Sequence, residues 1–132
     1  MTRFVVDAGA ALAIAAGSVE VRPEHELLAP TLLRSQALST MHEAVARGEI
    51  SAADARERLQ RLNGLPIRLL GDAVLRRRAW EVADQLGWAS TYDAEYVALT
   101  MLQADAFVTT NPSLAQQLDG VVAIAPLDAL AR

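Results

Sequence analysis

Short runs of consecutive apolar residues alternate along this chain with longer segments in which apolar residues recur at helical spacing. The short runs predict buried strands over residues 4–6, 25–29, 66–70, 106–109 and 121–125. The longer segments predict helices over residues 8–16, 31–47, 51–62, 73–86, 94–104 and 112–118. Strands that lack polar alternation and are separated by helices are typical of a parallel sheet covered on both faces.

Capping residues sharpen several of these boundaries. Asp72 and Asn111 stand where N-caps are expected, and Asn111 is followed by a proline. Ser90 with Asp93 matches the capping-box pattern, and Pro30 is expected in the first turn of the second helix. The whole pattern predicts one three-layer α/β/α domain over residues 1–132.

Composition agrees with a single domain and excludes several classes of protein. With 132 residues, of which 52% are hydrophobic, the chain has enough apolar mass for one core. The absence of cysteine excludes a disulfide framework and suits a reducing compartment. No uncharged apolar run reaches the roughly 20 residues of a membrane helix, and Asp7 stands where a secretory signal would carry no charge. We therefore expect a soluble, cytoplasmic protein that does not enter a membrane.

The basic residues are all arginines and are concentrated in the middle of the chain. Residues 47–78 contain eight Arg and four acids, although the formal net charge of the chain is −4. Because guanidinium groups match phosphate and carboxylate geometry, this region suits nucleic acid or an acidic partner. A solvated helix face is the competing interpretation for most of these charges.

Three candidate sites for chemistry are predicted to converge at one edge of the sheet. Asp7 follows the first strand, Asp93 starts the fifth helix, and Thr109-Thr110-Asn111 follows the fourth strand. Ligands of open parallel sheets gather at the carboxyl ends of the strands. Oxygen ligands clustered in this way suit Mg²⁺ or Mn²⁺. The structural alternative is that Asp7, Asp93 and Asn111 act only as helix caps.

The order of these residues resembles the PIN-domain family, specifically the VapC-type ribonuclease toxins of bacterial toxin–antitoxin operons. Four segments carry the resemblance: FVVDA at 4–8, LAPTLLRSQ at 28–36, TYDAEYVAL at 91–99 and ADAFVTTN at 104–111. The third segment is the most specific of the four. Together they extend the resemblance over nearly the whole chain.

This resemblance implies a PIN-like fold with a five-stranded parallel sheet, and an acidic pocket that binds Mg²⁺ or Mn²⁺ and hydrolyses RNA. Two of the family's catalytic acids fall on Asp7 and Asp93, which would hold the cation. Two others fall on Gln36 and Asn111, so amides stand where carboxylates are usual, as neutral ligands or groups that orient water. Fewer anionic ligands should weaken cation binding, so we expect one bound cation rather than two.

Other residues are assigned supporting roles. Glu43 lies on the helix of Gln36, about 10 Å further along its axis at 1.5 Å per residue, and would shape the rim of the pocket. Thr109 is expected to hydrogen-bond a phosphate or a neighbouring carboxylate. Arg34 and Arg47 are expected to steer the RNA backbone.

The leading hypothesis is a metal-dependent endoribonuclease that acts as a toxin and is held inactive by a cognate antitoxin. The alternative, motivated by Gln36 and Asn111, is a PIN-like protein that binds RNA or its antitoxin without efficient cleavage. A homodimer is also expected from the resemblance, and the helices between residues 31 and 62 are candidate contacts for both the second copy and the antitoxin. Trp80 and Trp88 are interpreted as core or interface residues. A phosphoacceptor domain is disfavoured because the chain contains no lysine to face the phosphorylated acid.

Overall fold

The computed structural model describes residues 1–132 as strands that alternate with helices. The elements are β1 (Arg3–Val6), α1 (Ala8–Ala15), β2 (Glu26–Pro30), α2 (Leu32–Ala46), α3 (Ala52–Asn63), β3 (Ile67–Leu70), α4 (Ala73–Leu86), α5 (Tyr92–Gln103), β4 (Ala106–Val108), α6 (Pro112–Gln117), β5 (Ile124–Ala125) and a final 3-10 turn (Leu127–Ala131). The predicted three-layer α/β/α class is therefore confirmed, as is the five-stranded parallel sheet.

The strands lie in the order β3-β2-β1-β4-β5, with β1 at the centre. Val5 and Val6 of β1 are fully buried, as expected for a strand covered on both faces. From β1 the chain builds the sheet outward in one direction through β2 and β3, and later in the other through β4 and β5. The strand order therefore reverses between β1 and β4, where open α/β sheets form a crevice outside the carboxyl ends of their strands.

Helices cover the sheet as two groups. One group consists of α1, α2 and α3, which pack on one another, and the other contains α4 and α5. Helix α5 also packs on β1, β2 and β4, and is buried through Tyr96, Val97 and Leu99. The ring of Tyr96 stacks on Phe107 of β4 with 5.9 Å between centroids. Burial of each such side chain stabilises the fold by about 1.5–3 kcal/mol, which fixes α5 against the strand ends.

Two boundaries drawn from the sequence are wrong. Pro30 is not in the first turn of α2 but ends β2, in register with Leu70 of β3. Its fixed φ is compatible with extended backbone, and the last position of a strand tolerates the missing N–H. The fifth strand is shorter than the predicted 121–125, because the Val121 amide donates to the carbonyl of Leu118 and extends the turn after α6.

The two tryptophans differ in their surroundings. Trp80 on α4 is 67% exposed, so of its two interpretations, core or interface residue, the structure excludes the first. Trp88 is half-buried against the core, and its indole N–H donates to Oε1 of Gln117 at 3.2 Å. None of the helices combines the length and hydrophobicity that a bilayer-spanning segment needs.

Candidate active site at the carboxyl edge of the sheet

Asp7 is the N-cap of α1 and also faces the crevice. Its Oδ1 accepts the backbone N–H of Ala10 at 2.8 Å, and its Oδ2 accepts the hydroxyl of Thr109 at 2.5 Å. Thr109 follows β4, the parallel neighbour of β1, so strand pairing itself brings the two residues together. Because each carboxylate oxygen has a second lone pair, Asp7 caps its helix and still has oxygen capacity for a ligand.

Asp93 lies in the first turn of α5, on the second helical residue. The predicted capping box with Ser90 is wrong, because α5 begins one residue later than that pattern requires and Thr91 occupies the N-cap position. The Ser90 hydroxyl oxygen instead accepts the N–H of Tyr92 at 3.3 Å. The Asp93 carboxylate makes no hydrogen bond within the chain, and the helix dipole favours its negative charge at this end of α5.

These two acids line one open cleft together with Gln36, Glu43 and Asn111. The cleft has a volume of about 380 Å³, and its other lining residues are Ala8, Gly9, Ser39, Thr40, Tyr96 and Thr110. Ligand sites typically occupy roughly 300–1,000 Å³, so the space suits a small group such as a phosphodiester and its cation. The fold therefore gathers five of the predicted site residues, contributed by the residue after β1, by α2 and α5, and by the segment after β4.

Burial and mutual repulsion both act on the acids of the cleft. Burial is the main cause that raises the pKa of Asp7 above 3.8, and the negative charge of Asp93 raises it further. Hydrogen bonds from Thr109 and Ala10 oppose this rise without cancelling it. Burial also raises the pKa of Asp93. A positive charge between the two carboxylates would relieve this repulsion, so the electrostatics favour a cation.

The fit to a divalent cation depends on how many acids the cleft supplies. No group of three or more His, Cys, Asp or Glu side chains is arranged to hold a metal ion. Asp7 and Asp93 supply two carboxylates, and Mg²⁺ is commonly held by one or two carboxylates with water and substrate phosphate completing its shell. The residues therefore fit one Mg²⁺ or Mn²⁺ and do not fit a pair.

The two amides of the cleft have their oxygens engaged within the protein. Asn111 caps α6, with its Oδ1 accepting the backbone N–H groups of Ser113 at 3.0 Å and Leu114 at 3.2 Å. Gln36 accepts the hydroxyl of Tyr96 on its Oε1 at 2.6 Å. Of the two roles expected for Asn111, neutral ligand or group that orients water, the first is disfavoured because its oxygen already accepts two hydrogen bonds.

Sequence reasoning gave no role to two residues that shape this cleft, Tyr96 and Gly9. Tyr96 lies three residues after Asp93, so the spacing of a helix face would have placed it beside that acid. Gly9 is required by Thr110: a Cβ at Gly9 would lie 2.3 Å from the Thr110 hydroxyl oxygen. No local signal in the sequence indicates this contact, because the two residues are joined only through the pairing of β1 with β4.

The two predicted RNA-binding arginines lie outside the cleft. Arg34 is exposed on α2 and lines a small pocket beside Leu62 and Asn63 at the end of α3. Arg47 follows α2 and forms an ion pair with Glu49. Neither arginine is among the residues that line the cleft with Asp7.

A larger cavity, of about 620 Å³, opens at the opposite edge, where the strands begin. Its acids are largely matched by arginines. Glu24 pairs with Arg22 at 3.0 Å, and Glu26 contacts Arg3 at 3.1 Å and Arg68 at 3.2 Å. The smaller cleft is the better candidate for cation chemistry because its two aspartates have no cationic partner.

Comparison with known proteins supports the fold. No protein-family model and no curated protein matches the sequence. Among solved structures, the chain is similar to the crystal structure of PAE2754 from Pyrobaculum aerophilum, with a TM-score of 0.73 and 21% sequence identity. The alignment covers 98% of this chain and 94% of that chain. At this identity, the likeness establishes that the two proteins share a three-layer α/β architecture along their whole length.

Proposed function

We propose that this protein is a Mg²⁺- or Mn²⁺-dependent endoribonuclease of the PIN-domain type, acting as the cytoplasmic toxin of a toxin–antitoxin pair. The observation that carries the proposal is the meeting of Asp7 and Asp93, unpaired with any cation of the protein, in one cleft at the carboxyl edge of the sheet. The sequence resemblance in residues 4–8, 28–36, 91–99 and 104–111 adds the assignment to RNA hydrolysis.

Asp7 and Asp93 are the residues that would hold the cation. When bound, a divalent cation supplies polarisation of a phosphoryl oxygen and a water molecule of lowered pKa. Thr109 fixes the orientation of the Asp7 carboxylate by donating to Oδ2, while the Ala10 amide fixes Oδ1. This double restraint holds the carboxylate in one position before any ligand arrives, and such preorganisation is what electrostatic catalysis requires.

The partners of the proposed toxin would be an RNA substrate, a small antitoxin and a second copy of the chain. A groove of about 210 Å³ between α2 and α3, lined mainly by apolar residues including Leu38, Met41 and Leu59, supports binding of an apolar antitoxin segment. On α4 and α5, the exposed Trp80 and Tyr92 are residue types that often anchor interfaces, which supports a homodimer.

A second candidate function is binding of RNA or antitoxin without efficient cleavage. It is favoured by one observation, that Gln36 and Asn111 leave the cleft with fewer than three acids arranged for a metal. The two candidates differ in whether RNA is cut or only retained.

Cleavage of structured RNAs by the purified chain, free of antitoxin, separates these functions. We expect cleavage with Mg²⁺ or Mn²⁺, none with chelator, and loss of activity in Asp7→Asn and Asp93→Asn. Asp84→Asn is the matched control, because Asp84 is an exposed acid of α4 that forms no ion pair. Cleavage by Asp93→Asn at the wild-type rate would contradict the nuclease proposal. RNA that is bound by the wild type but not cut would favour the second function.

A further inference from the structure

The side-chain amide of Asn111 has a fixed orientation. The atom that accepts the backbone N–H groups of Ser113 at 3.0 Å and Leu114 at 3.2 Å must be the amide oxygen, Oδ1, because the amide nitrogen is a donor. An amide oxygen has two lone pairs, and both are used. Nδ2 of Asn111 donates to no group of the protein, although Asn111 lines the cleft. Two N–H donors are therefore available at this end of the cleft.

The side-chain amide of Gln36 also has a fixed orientation, which is set by Tyr96 rather than by the cap of a helix. The hydroxyl of Tyr96 donates to its Oε1 at 2.6 Å, and Tyr96 is only 1% exposed, anchored by its ring stack on Phe107. The hydroxyl is kept protonated because burial and the charges of Asp7, Glu95 and Asp93 all raise its pKa. Nε2 of Gln36 donates to no protein acceptor, so a second residue that lines the cleft has two unpaired N–H donors.

We propose that Gln36 Nε2 and Asn111 Nδ2 form a subsite for the non-bridging oxygens of a phosphodiester, next to the carboxylates of Asp7 and Asp93. The cleft then has two chemically different parts, one of carboxylates that attract a cation and one of neutral N–H groups that donate hydrogen bonds to the oxygens of an anion. This proposal rests on the proposed function for the identity of the diester as RNA and for the cation, whereas the donors follow from the hydrogen bonds that fix the two amides.

Charge predicts how the two parts depend on each other. The acids Asp7 and Asp93 repel a phosphodiester as long as the cleft holds no cation, and neutral amides cannot offset that repulsion as a lysine or arginine would. A divalent cation would remove the repulsion. Binding of the diester should therefore be weak with chelator and strengthened by Mg²⁺, and the cation should in turn bind more tightly in the presence of the diester.

Side-chain amide resonances of the ¹⁵N-labelled full chain report on this subsite directly. The probe is dimethyl phosphate, a simple phosphodiester, titrated with Mg²⁺ or with chelator. We expect the NH₂ signals of Gln36 and Asn111 to shift saturably with Mg²⁺, while the exposed Gln60 on α3 stays unchanged. Absence of a saturable shift at either residue would overturn the proposal.

Neutral substitutions test the energetic contribution of the donors without adding charge. Asn111→Ser retains a residue that caps α6, and Gln36→Met retains much of the side-chain volume. Each should weaken dimethyl phosphate binding about 10-fold or more, the loss typical of a hydrogen bond to a charged group. Gln60→Met is the matched control and should bind as the wild type does. Wild-type affinity in both cleft variants would overturn the proposal.

The same titration separates this inference from the proposed function. A chain that binds dimethyl phosphate through the two amides but cuts no RNA retains the subsite and contradicts the nuclease proposal. A chain that cuts RNA without shifts at Gln36 and Asn111 retains the nuclease and contradicts the subsite.

Discussion

Replacing Asp7 by asparagine tests whether the cleft is electrostatically arranged for a cation. In the folded chain, burial and the charge of Asp93 raise the pKa of Asp7 above 3.8. The folded chain therefore holds the proton more tightly than the unfolded chain, and the free energy of unfolding falls as pH rises from 3.8 through the folded-state pKa. Asparagine is as good an N-cap as aspartate, so Asp7→Asn should preserve the start of α1. It should also remove the fall in the free energy of unfolding that accompanies deprotonation of Asp7.

Cation binding should make the wild type more stable than Asp7→Asn, the reverse of the order expected without a cation. A cation that binds only the folded chain adds about 2.7 kcal/mol at a concentration 100-fold above its dissociation constant. For a domain of this size, that amounts to a rise in Tm of roughly 10 °C. Asp7 and Asp93 are the only carboxylates proposed to hold the cation, because no three acids are arranged around one ion, so removing one leaves half of the charged ligands. We expect the cation to raise the Tm of Asp7→Asn by close to zero.

Thermal unfolding followed by circular dichroism, with Mn²⁺ or with chelator, gives both the stability of the cation-free chain and the stabilisation by the cation. At pH 7 with chelator, Asp7→Asn should be at least as stable as the wild type, and the two should converge near pH 3. With Mn²⁺, the wild type and the exposed-acid control Asp84→Asn should gain stability together. An equal gain in Asp7→Asn, or a wild type that Mn²⁺ leaves unchanged, would refute the assignment of Asp7 as a ligand.

Three other variants address separate parts of the structure. Thr109→Val removes a hydrogen bond that lowers the pKa of Asp7, so the acid limb of the pH–rate profile should move to higher pH; an unmoved limb would contradict this. His25→Phe removes two buried ring nitrogens that lack partners, and urea unfolding should show stabilisation of about 1–3 kcal/mol, whereas the exposed-site control His42→Phe should change stability by under about 0.5 kcal/mol. Trp80→Ala, measured at a protein concentration low enough for a monomer, should change the free energy of unfolding by less than about 0.5 kcal/mol, because that side chain is 67% exposed; a loss above 2 kcal/mol would show that it packs within its own chain.

The meeting of Asp7 with Asp93 could be predicted from sequence because it depends on general rules. Apolar runs separated by helices specify parallel strands, and residues that follow such strands gather at one edge of the sheet. Helix N-termini reach the same edge when each helix leads to the next strand, which accounts for Asp93. The position of both acids is thus a consequence of the fold class.

The orientation of the amides could not be predicted in the same way. Gln36 is oriented by Tyr96, a residue 60 positions away, and the choice between amide oxygen and nitrogen depends on a single hydrogen bond. The capping role of Asn111 could be predicted from the sequence. That capping uses Oδ1 and leaves Nδ2 unpaired could be seen only from the hydrogen bonds in the structure.

The central place of β1 in the sheet has a consequence for how this scaffold can change. The strand's apolar residues are shared by the whole core, whereas the residues just beyond its end, and those just beyond β4, contact the open crevice. Substitutions at positions 7, 110 and 111 would therefore alter ligand chemistry while the interior packing stays intact. The same fold can therefore acquire different ligand chemistries through changes in two short segments, while the residues that stabilise the core remain unchanged.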